Sequence, residues 1–208
     1  MNNHELIIAC PKGRLESKIV NYFKVKGLEF EKDFFNEESR KLTFSSNFKN
    51  IKVIKLKPVD IRSYIMLGAA DIGFVGYDDI LENSDQNIVL LSKTKIGKCR
   101  ISIASDKKKI DFNQKKIFKV ATKFKNIAEN YFMQQNIQIE VIKLNGSIEL
   151  AVKYGVADFI VDLVQSGQTL KENQLYENII INNNISTVAI SSYYAFDIKK
   201  ELIKKLII

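Results

Sequence analysis

The sequence is poor in the residue types on which several classes of active site depend. Its 208 residues include one histidine, two cysteines, two prolines and no tryptophan. Because the single histidine, His4, lies in the N-terminal tail, catalysis by histidine and histidine-rich metal sites are excluded. Cys10 and Cys99 are far apart and neither belongs to a Cys-x-x-Cys pair, so no zinc site is expected and, in a reducing compartment, no disulfide.

Long hydrophobic runs are also missing. No apolar stretch approaches the roughly 18 residues that a membrane-spanning helix needs, and the N-terminus has no basic segment of the kind that opens a signal peptide. With 46% hydrophobic and 27% charged residues, the chain has the composition of a folded globular protein. We therefore expect a cytoplasmic protein without a membrane partner.

Arginine is scarce although the chain is basic. Lys+Arg 32 against Asp+Glu 24 gives a formal charge of +8, but only Arg14, Arg40, Arg62 and Arg100 are arginines. The lysines are spread along the chain rather than gathered in a stripe with interleaved aromatic residues, which argues against a nucleic-acid partner. A polyanionic small molecule suits the same charge. The four arginines are then of most interest, because a guanidinium binds phosphate in a bidentate manner.

Strand-like and helix-like patterns alternate along the chain, which predicts a mostly parallel α/β architecture. The lysine-rich stretch Asp106–Lys116 is the best candidate for a loop or for a boundary between two such series. This division predicts two lobes with a cleft between them. The sequence also predicts a helix that is capped by Ser147 and a last, amphipathic helix over Asp197–Leu206.

The segment Asp158–Leu170 carries the strongest local signal. A hydrophobic strand ends at Asp162, and the short loop Ser166–Thr169 then opens a helix. This order points backbone N–H groups and two hydroxyls at a helix N-terminus, where a phosphate is stabilised, and Gly167 allows the backbone to approach it closely. Asp162 is placed to accept hydrogen bonds from the vicinal hydroxyls of a sugar. The alternative is an ordinary strand–turn–helix with a Ser or Thr cap.

A second cluster, Lys12, Gly13 and Arg14, directly follows the first predicted strand. The carboxyl end of a strand is where open α/β sheets bind ligands. The cluster is not a Walker loop, because the GxxxxGK[ST] pattern is missing. A solvated turn explains it equally well.

Three other segments carry weaker signals. In the predicted strand Asp71–Gly76, Gly73 suggests the close approach of a flat ligand or a second backbone, although core packing is the simpler explanation for this segment alone. Arg40–Lys41 and Gly97–Arg100, each taken by itself, are more typical of surface residues than of a site.

Taken together, these segments resemble, in order and at the expected spacing, the motifs of the short form of the ATP phosphoribosyltransferase family, which opens histidine biosynthesis. The resemblance runs from about Leu6 to about Tyr193. The segments that carry it are Ala9–Leu15 (ACPKGRL), Ser39–Leu42 (SRKL), Asp60–Asp78 with GAADIGFVG in its middle, Gly97–Arg100 (GKCR), Ala121–Phe124 (ATKF), Leu144–Ala151 (LNGSIELA) and Asp158–Leu170.

The resemblance implies a fold and a reaction. The fold is α/β with two lobes like type II periplasmic binding proteins and a cleft between them; the first lobe would be residues 1–100 plus 184–208, and the second residues 101–183. The reaction transfers the phosphoribosyl group of phosphoribosyl pyrophosphate to N1 of the adenine of ATP and releases pyrophosphate, with Mg²⁺ as cofactor. Because positive charge develops on the sugar and negative charge on the leaving group, positioning and electrostatics can supply the catalysis without a histidine base.

The resemblance also implies roles for individual residues. Arg14 and Arg40 would neutralise the departing pyrophosphate, while Glu149 and Asp162 would hold the ribose hydroxyls, directly or through the metal. The residues that would cradle the 5′-phosphate are Ser166, Gly167, Gln168 and Thr169. The residues that would line the opposite wall of the cleft are Lys12, Gly13, Asp71 and Gly73. No set of protein metal ligands is predicted.

A protein partner is implied as well. The chain has no room for the regulatory domain of long forms, and short forms work with a catalytically silent paralogue of histidyl-tRNA synthetase in a hetero-octamer. A homodimer of this chain is compatible with that assembly. The apolar C-terminal residues, which could serve such an interface or simply form one face of a helix, are Leu202, Ile203, Leu206, Ile207 and Ile208.

Three other functions are left open: a solute-binding module, a nucleic-acid binder and a catalytically inactive allosteric relative. A solute receptor would need an export signal, and a nucleic-acid binder would need clustered cations. The presence of Arg14 together with the intact Ser166–Thr169 loop favours catalysis over an inactive relative.

Overall fold

The computed structural model describes residues 5–114 and 117–207, so His4, Lys115, Lys116 and Ile208 lie outside the described residues. The strands are β1 (Leu6–Pro11), β2 (Thr43–Ser45), β3 (Ile51–Leu56), β4 (Ile72–Gly76), β5 (Ile88–Lys93), β6 (Cys99–Ser105), β7 (Phe118–Thr122), β8 (Ile139–Lys143), β9 (Phe159–Val164), β10 (Tyr176–Ile185) and β11 (Thr187–Ser192). The α-helices are α1 (Glu16–Val25), α2 (Pro58–Met66), α3 (Tyr77–Glu82), α4 (Lys125–Gln134), α5 (Glu149–Lys153), α6 (Gln168–Glu172), α7 (Tyr193–Ile198) and α8 (Lys200–Ile207). Within the described ranges, no helix is both long enough and apolar enough to cross a membrane.

The chain forms two compact units. The first contains the residues up to Tyr77, Asp85–Gly97 and the chain from Ser186 onward, and the second contains Asp78–Ser84 and Lys98–Ile185. The sequence prediction places residues 78–84 in the first lobe, whereas the structure groups them with the second. The lysine-rich stretch that begins at Asp106 lies inside the second unit, between β6 and β7, so of the two alternatives the loop is confirmed and the boundary is wrong.

The first unit has a six-stranded sheet in the order β2-β3-β1-β4-β11-β5. Strand β1 is parallel to β3 and β4, whereas β2 pairs antiparallel with β3, and β11 pairs antiparallel with both of its neighbours. The prediction of a mostly parallel sheet is therefore wrong. The sequence predicts a hairpin-like pair over Lys41–Ser45 and Ile51–Lys57, which β2 and β3 confirm, but it does not predict the return of β11 from a distant part of the chain.

Aromatic rings fill the core of the first unit. Phe23 of α1 packs edge-to-face on Phe74 of β4 with ring centroids 5.4 Å apart, and Phe34 packs in the same way on Phe44 at 5.1 Å. Pro58 occupies the first turn of α2, where its missing N–H costs no hydrogen bond. These contacts attach α1 and the 3₁₀ turn Lys32–Phe35 to the sheet.

The C-terminal segment belongs to this same core. The single helix predicted over Asp197–Leu206 is two helices, α7 and α8, which meet at Lys199. Ile203, Leu206 and Ile207 of α8 are buried among the core residues of the first unit. They are therefore core residues and not an exposed interface. Of the two interpretations of these apolar residues, the buried face of an amphipathic helix is the one that the structure shows.

The second unit has a five-stranded sheet in the order β10-β6-β9-β7-β8. Strand β7 is parallel to β8 and β9, and β6 is antiparallel to β9 and β10. Helix α4 starts without a side-chain cap of its own. Instead, the carboxylate of Glu82 accepts hydrogen bonds from the backbone N–H groups of Asn126 and Ile127, both at 3.0 Å. This capping ties the segment 78–84 to the second unit.

Two local predictions in the second unit are wrong in detail. Ser147 does not cap α5 with its side chain; it has a φ of +49°, and the helix begins at Glu149. Strand β9 does not end at Asp162 but continues to Val164, because β6 pairs with it as far as that residue. The connection between β9 and α6 is therefore only the three residues Gln165–Gly167.

Candidate active site

The segment 166–169 of the second unit, hereafter the loop 166–169, contains the turn from β9 into α6 and the first two residues of α6, Gln168 and Thr169. Gly167 has a φ of +80°, a left-handed conformation that costs a residue with a Cβ about 1–2 kcal/mol. Buried side chains hold the loop at both ends, Val164 in β9 and Leu170 in α6. Ser166 is exposed, and its Oγ accepts a hydrogen bond from the backbone N–H of Gln168 at 3.3 Å. The loop is thus a fixed turn that presents hydroxyl and N–H groups to solvent.

Asp162 lies in β9, two residues before the strand ends, and is half-buried. Burial raises the pKa of its carboxyl group, and the negative charges of Glu149 and Asp78 raise it further. The N–H of Leu163 and the positive charge of Lys123 oppose this increase in pKa. The surroundings disfavour the charge on Asp162, so hydroxyl donors or a bound cation would stabilise its ionised form.

Asp78 and Lys123 also act on the charge of Asp162, although the sequence analysis gave neither residue a role. Burial also raises the pKa of Asp78, against the effect of Lys123. In the parallel pairing of β7 with β9, Thr122 lies opposite Val161, so the next residues, Lys123 and Asp162, meet at one edge of the sheet. The available signal was that Lys123 and Asp162 each directly follow a mostly apolar run, Val120–Thr122 and Phe159–Val161, in neighbouring strands.

Lys12, Gly13 and Arg14 form an exposed turn between β1 and α1 in the first unit. The N–H of Lys12 donates to the carbonyl of Leu56 at 2.8 Å, and Gly13 has a φ of +92°. The turn lines a cavity of about 680 Å³. The ionisable side chains around the cavity are Lys12, Arg14, Glu16, Lys24, Glu37, Lys41 and Lys55. Cations outnumber carboxylates there, which suits an anionic ligand.

Arg40 is exposed in the loop that follows the 3₁₀ turn. Asp33 organises this loop, because its carboxylate accepts hydrogen bonds from Ser39 Oγ at 2.8 Å and from Asn36 Nδ2 at 3.2 Å. These hydrogen bonds lower the pKa of Asp33. Ser39 and Lys41 line the cavity beside Arg14, and Arg40 stands between them in the chain. The structure therefore brings the loop of Arg40, though not its side chain, to the cavity.

Asp71 and Gly73 have structural roles. Asp71 precedes β4, at the opposite edge of the sheet from the turn after β1, and both of its oxygens accept hydrogen bonds from Lys199 Nζ at 2.8 Å. The N–H of Ile7 also donates to Asp71, at 2.7 Å. A Cβ on Gly73 would lie 2.5 Å from a methyl group of Ile61 in α2. We therefore remove both residues from the candidate site.

The cysteines are free thiols that do not act as nucleophiles. Burial raises the pKa of the Cys10 thiol to about 12. Burial and the negative charge of Asp78 also raise the pKa of Cys99. Since the thiolate is the reactive form, neither side chain is activated at neutral pH.

Comparison with known proteins identifies the family. The ATP phosphoribosyltransferase family profile matches residues 57–208. A relative from Brachyspira hyodysenteriae named ATP phosphoribosyltransferase is 42% identical over 201 residues, which covers 96% of this chain and 95% of the relative. The chain belongs to the ATP phosphoribosyltransferase family, which catalyses the first step of histidine biosynthesis.

Solved structures agree with this family assignment. The ATP phosphoribosyl transferase (HisG:HisZ) complex from Thermotoga maritima contains a chain with 32% identity and a TM-score of 0.76, covering 97% of this chain and 96% of that one. The BvgS VFT2 domain of Bordetella pertussis has 12% identity and a TM-score of 0.61, covering 97% of this chain and 86% of that domain, and so shares the fold alone. The predicted family and the predicted α/β fold, like that of periplasmic binding proteins, are confirmed.

Within an ATP phosphoribosyltransferase, the individual residue roles stay predictions. The second unit brings Glu149 and Asp162 into electrostatic contact, and the loop 166–169 follows β9 directly. The first unit brings Lys12, Gly13 and Arg14 to one cavity.

Proposed function

We propose that this chain transfers the phosphoribosyl group of phosphoribosyl pyrophosphate to N1 of the adenine of ATP and releases pyrophosphate. The observation that carries the proposal is the loop 166–169, with Gly167 in a left-handed conformation directly after the strand of the half-buried Asp162, in a chain of this family. In the transfer, the bond from the anomeric carbon to pyrophosphate breaks as the bond to N1 forms.

The second unit would bind the phosphoribosyl part. The loop of Ser166, Gly167, Gln168 and Thr169 would hold the 5′-phosphate through backbone N–H groups and hydroxyls. The carboxylates of Asp162 and Glu149 would accept hydrogen bonds from the ribose hydroxyls, which would offset the burial and, to a smaller extent, the negative charge of Glu149 that raise the pKa of Asp162. These contacts orient the anomeric carbon without a histidine base.

The first unit would bind the leaving group. Arg14 and Lys12, together with Arg40 in the neighbouring loop, would place positive charge against the developing charge of pyrophosphate, and Gly13 allows the turn its left-handed conformation. Removal of one such contact from an active site typically lowers the rate by about 10²–10³-fold. The excess of cationic side chains around the cavity supports electrostatic stabilisation of the pyrophosphate leaving group.

Mg²⁺ is proposed as the cofactor. Among residues 5–114 and 117–207, no group of three histidine, cysteine or acidic residues could hold a metal ion. Mg²⁺ commonly binds through one or two carboxylates together with substrate phosphates, and Asp162 and Glu149 provide such carboxylates. These two residues would hold the ion, which supplies positive charge to the pyrophosphate when bound. Chelation by EDTA is expected to abolish turnover.

We also propose a HisZ-like regulatory subunit, related to histidyl-tRNA synthetase, as the protein partner. The support is the likeness to a chain of the Thermotoga HisG:HisZ complex. A hetero-octamer is the expected assembly, and a homodimer of this chain is expected without the partner. Light scattering of the separate and mixed proteins measures both masses.

The test of the activity is formation of phosphoribosyl-ATP, followed by absorbance, with ATP, phosphoribosyl pyrophosphate and Mg²⁺. Arg14→Ala is expected to lower kcat by about 10²-fold or more. Lys18→Ala, which removes an exposed cation from α1, is the control and should retain activity. Absence of product from the wild-type protein, even with the regulatory subunit present, would refute the proposed reaction.

A further inference from the structure

Arg100 connects three elements of the second unit. From β6, its Nε and Nη2 donate to the two carboxylate oxygens of Glu177 in β10, at 2.5 and 2.6 Å. Its Nη1 donates to the backbone carbonyl of Gln165 at 3.2 Å. Gln165 is the residue between the end of β9 and the loop 166–169. The guanidinium therefore links the strand pair β6–β10 to Gln165, the first residue of the connection between β9 and α6.

The geometry of this link is fixed by Glu177. A bidentate pair holds the planar guanidinium in one orientation, which also determines the direction of its remaining N–H groups. Ser102 Oγ donates a further hydrogen bond to Glu177, at 2.6 Å. The hydrogen bond from Arg100 lowers the pKa of Glu177, so this carboxylate stays ionised at neutral pH. Lysine could keep the charge but could not form the same fork.

The network lies next to the candidate site. Ser102 is the cross-strand partner of Asp162, and Arg100 is the partner of Val164, which anchors the loop. Residues directly opposite each other in a sheet have side chains on the same face. Arg100 also lines a cavity of about 420 Å³ together with Ser166 and Gly167. A change in the orientation of Arg100 would therefore be transmitted to the loop.

We propose that Arg100 is a positioning residue that orients the loop 166–169 through the carbonyl of Gln165 and so sets the affinity for the 5′-phosphate of phosphoribosyl pyrophosphate. This inference rests on the proposed function, in which the loop binds that phosphate. The 5′-phosphate is remote from the reacting bonds, so its binding contributes equally to the ground state and the transition state. Loss of the link should raise KM and spare kcat.

A purely structural role for Arg100 makes a different prediction. At the other end of β6 from Arg100, Ser105 Oγ donates to Oδ1 of Asn178, the residue after Glu177 in β10, at 2.9 Å, and Ser105 is buried. That pair joins the same two strands without contacting the loop connection. Ser105→Ala therefore removes a side-chain hydrogen bond between the same two strands without changing the loop connection, and is the control.

The experiment measures kcat, both KM values and the melting temperature for Arg100→Lys, Glu177→Gln and Ser105→Ala. Arg100→Lys is expected to raise KM for phosphoribosyl pyrophosphate about tenfold, with kcat and KM for ATP within about twofold of wild type. Ser105→Ala should lower the melting temperature without changing either KM. If Arg100→Lys leaves KM for phosphoribosyl pyrophosphate unchanged, or raises both KM values equally, the inference is wrong.

Glu177→Gln separates positioning from direct contact with substrate. It removes the bidentate pair, so a positioning role predicts a higher KM for phosphoribosyl pyrophosphate. If Arg100 instead contacted the substrate, release from the Glu177 charge would lower that KM and would overturn the inference. Ser166→Ala and Thr169→Ala test the proposed function separately. If these loop variants do not change KM for phosphoribosyl pyrophosphate, the loop assignment itself fails, whatever Arg100→Lys does.

Discussion

Asp71 in the first unit and Asp162 in the second are two shielded aspartates in opposite electrostatic surroundings. Both carboxylate oxygens of Asp71 are within 2.8 Å of the Lys199 ammonium, and Asp71 also accepts a backbone hydrogen bond from Ile7. Asp162 lies near Glu149 and Asp78, whose charges add to the effect of burial and raise its pKa. The sequence interpretation assigned both residues to substrate binding.

The difference shows which carboxylate is available to a ligand. The hydrogen-bonding capacity of Asp71 is used within the fold, and its counter-ion is built in. Asp162 is held in surroundings that destabilise its charge, and a ligand with hydroxyl groups or a cation would relieve this. Sites that carry out chemistry commonly contain groups with perturbed pKa values. The contrast therefore supports a structural role for Asp71 and a ligand-binding role for Asp162.

The largest expected effect follows removal of the counter-ion of Asp71. Lys199 Nζ donates to both oxygens of Asp71 and, at 2.6 Å, to the carbonyl of Glu5. Lys199→Met leaves a shielded carboxylate unpaired, which should lower the free energy of unfolding by about 3–5 kcal/mol. Urea denaturation measures the loss. Lys200→Met, at the exposed neighbouring position, should change it by less than about 0.5 kcal/mol.

The same variant also tests the assignment of Asp71. In the folded protein at low temperature, Lys199→Met should keep both KM values of the wild type, because the ion pair lies at the sheet edge opposite the turn after β1. A selective increase in KM for either substrate would return Asp71 to the binding site and remove the contrast with Asp162.

The next largest effect is expected on catalysis. Asp162→Asn keeps the size of the side chain but removes the charge that would hold the ribose hydroxyls or the metal. We expect kcat/KM for phosphoribosyl pyrophosphate to decrease by about 10²-fold, in the range seen for loss of one preorganised electrostatic contact. Steady-state kinetics measure the change. Asp111→Asn, an exposed position of the second unit, should keep wild-type activity.

The sequence indicated these two carboxylates but not their surroundings. The bounds of β7, Phe118–Thr122, are those that the sequence predicts from a short and mostly apolar run that ends before Lys123. The parallel pairing of β7 with β9 then places Lys123 beside Asp162, as alternation of strands and helices suggests. The local sequence pattern was therefore sufficient to predict a contact between residues of neighbouring parallel strands, such as that of Lys123 with Asp162.

Contacts between distant parts of the chain could not be predicted in this way. Asp71 and Lys199 are 128 residues apart, and nothing in either segment specifies that α7 ends beside β4. The burial of Ile203 and Leu206 likewise depends on the return of the C-terminus to the first unit. The link from Arg100 to Gln165 depends on the antiparallel pairing of β6 with β9, whereas the alternating pattern had suggested parallel strands.

Backbone strain in the loop gives a smaller expected effect. Gly167 and Gly155 have similar φ values, +80° and +69°, and a Cβ would meet at most ordinary contacts at either position. Alanine at each should lower the free energy of unfolding by about 1 kcal/mol. Only Gly167→Ala should also raise KM for phosphoribosyl pyrophosphate, because the loop that binds the 5′-phosphate must adopt the strained left-handed conformation. A strain of about 1 kcal/mol in the bound state corresponds to an increase in KM of about fivefold. Equal KM values for the two variants would show that the loop does not bind substrate.

The smallest expected effect is a dependence of stability on pH. The pKa of Asp162 is raised above its ordinary value of 3.8, so the folded protein holds this proton more tightly than the unfolded chain. The contribution of Asp162 is therefore present below pH 3.8 and is lost as the pH rises from there through the folded pKa. Asp162→Asn lacks this loss, so its stability relative to wild type should increase as the pH rises from 3.5 to 7.

Asp33 provides a control of opposite sign. Hydrogen bonds from Ser39 and Asn36 lower its pKa below 3.8, so its contribution is present above that pH and is lost as the pH falls through the folded pKa. Stability of Asp33→Asn relative to wild type should therefore decrease as the pH rises over the same range. Thermal unfolding of the two variants and the wild type at matched ionic strength measures both slopes. Slopes of the same sign would mean that Asp162 is stabilised within the fold, as Asp71 is, and the distinction between the two aspartates would not hold.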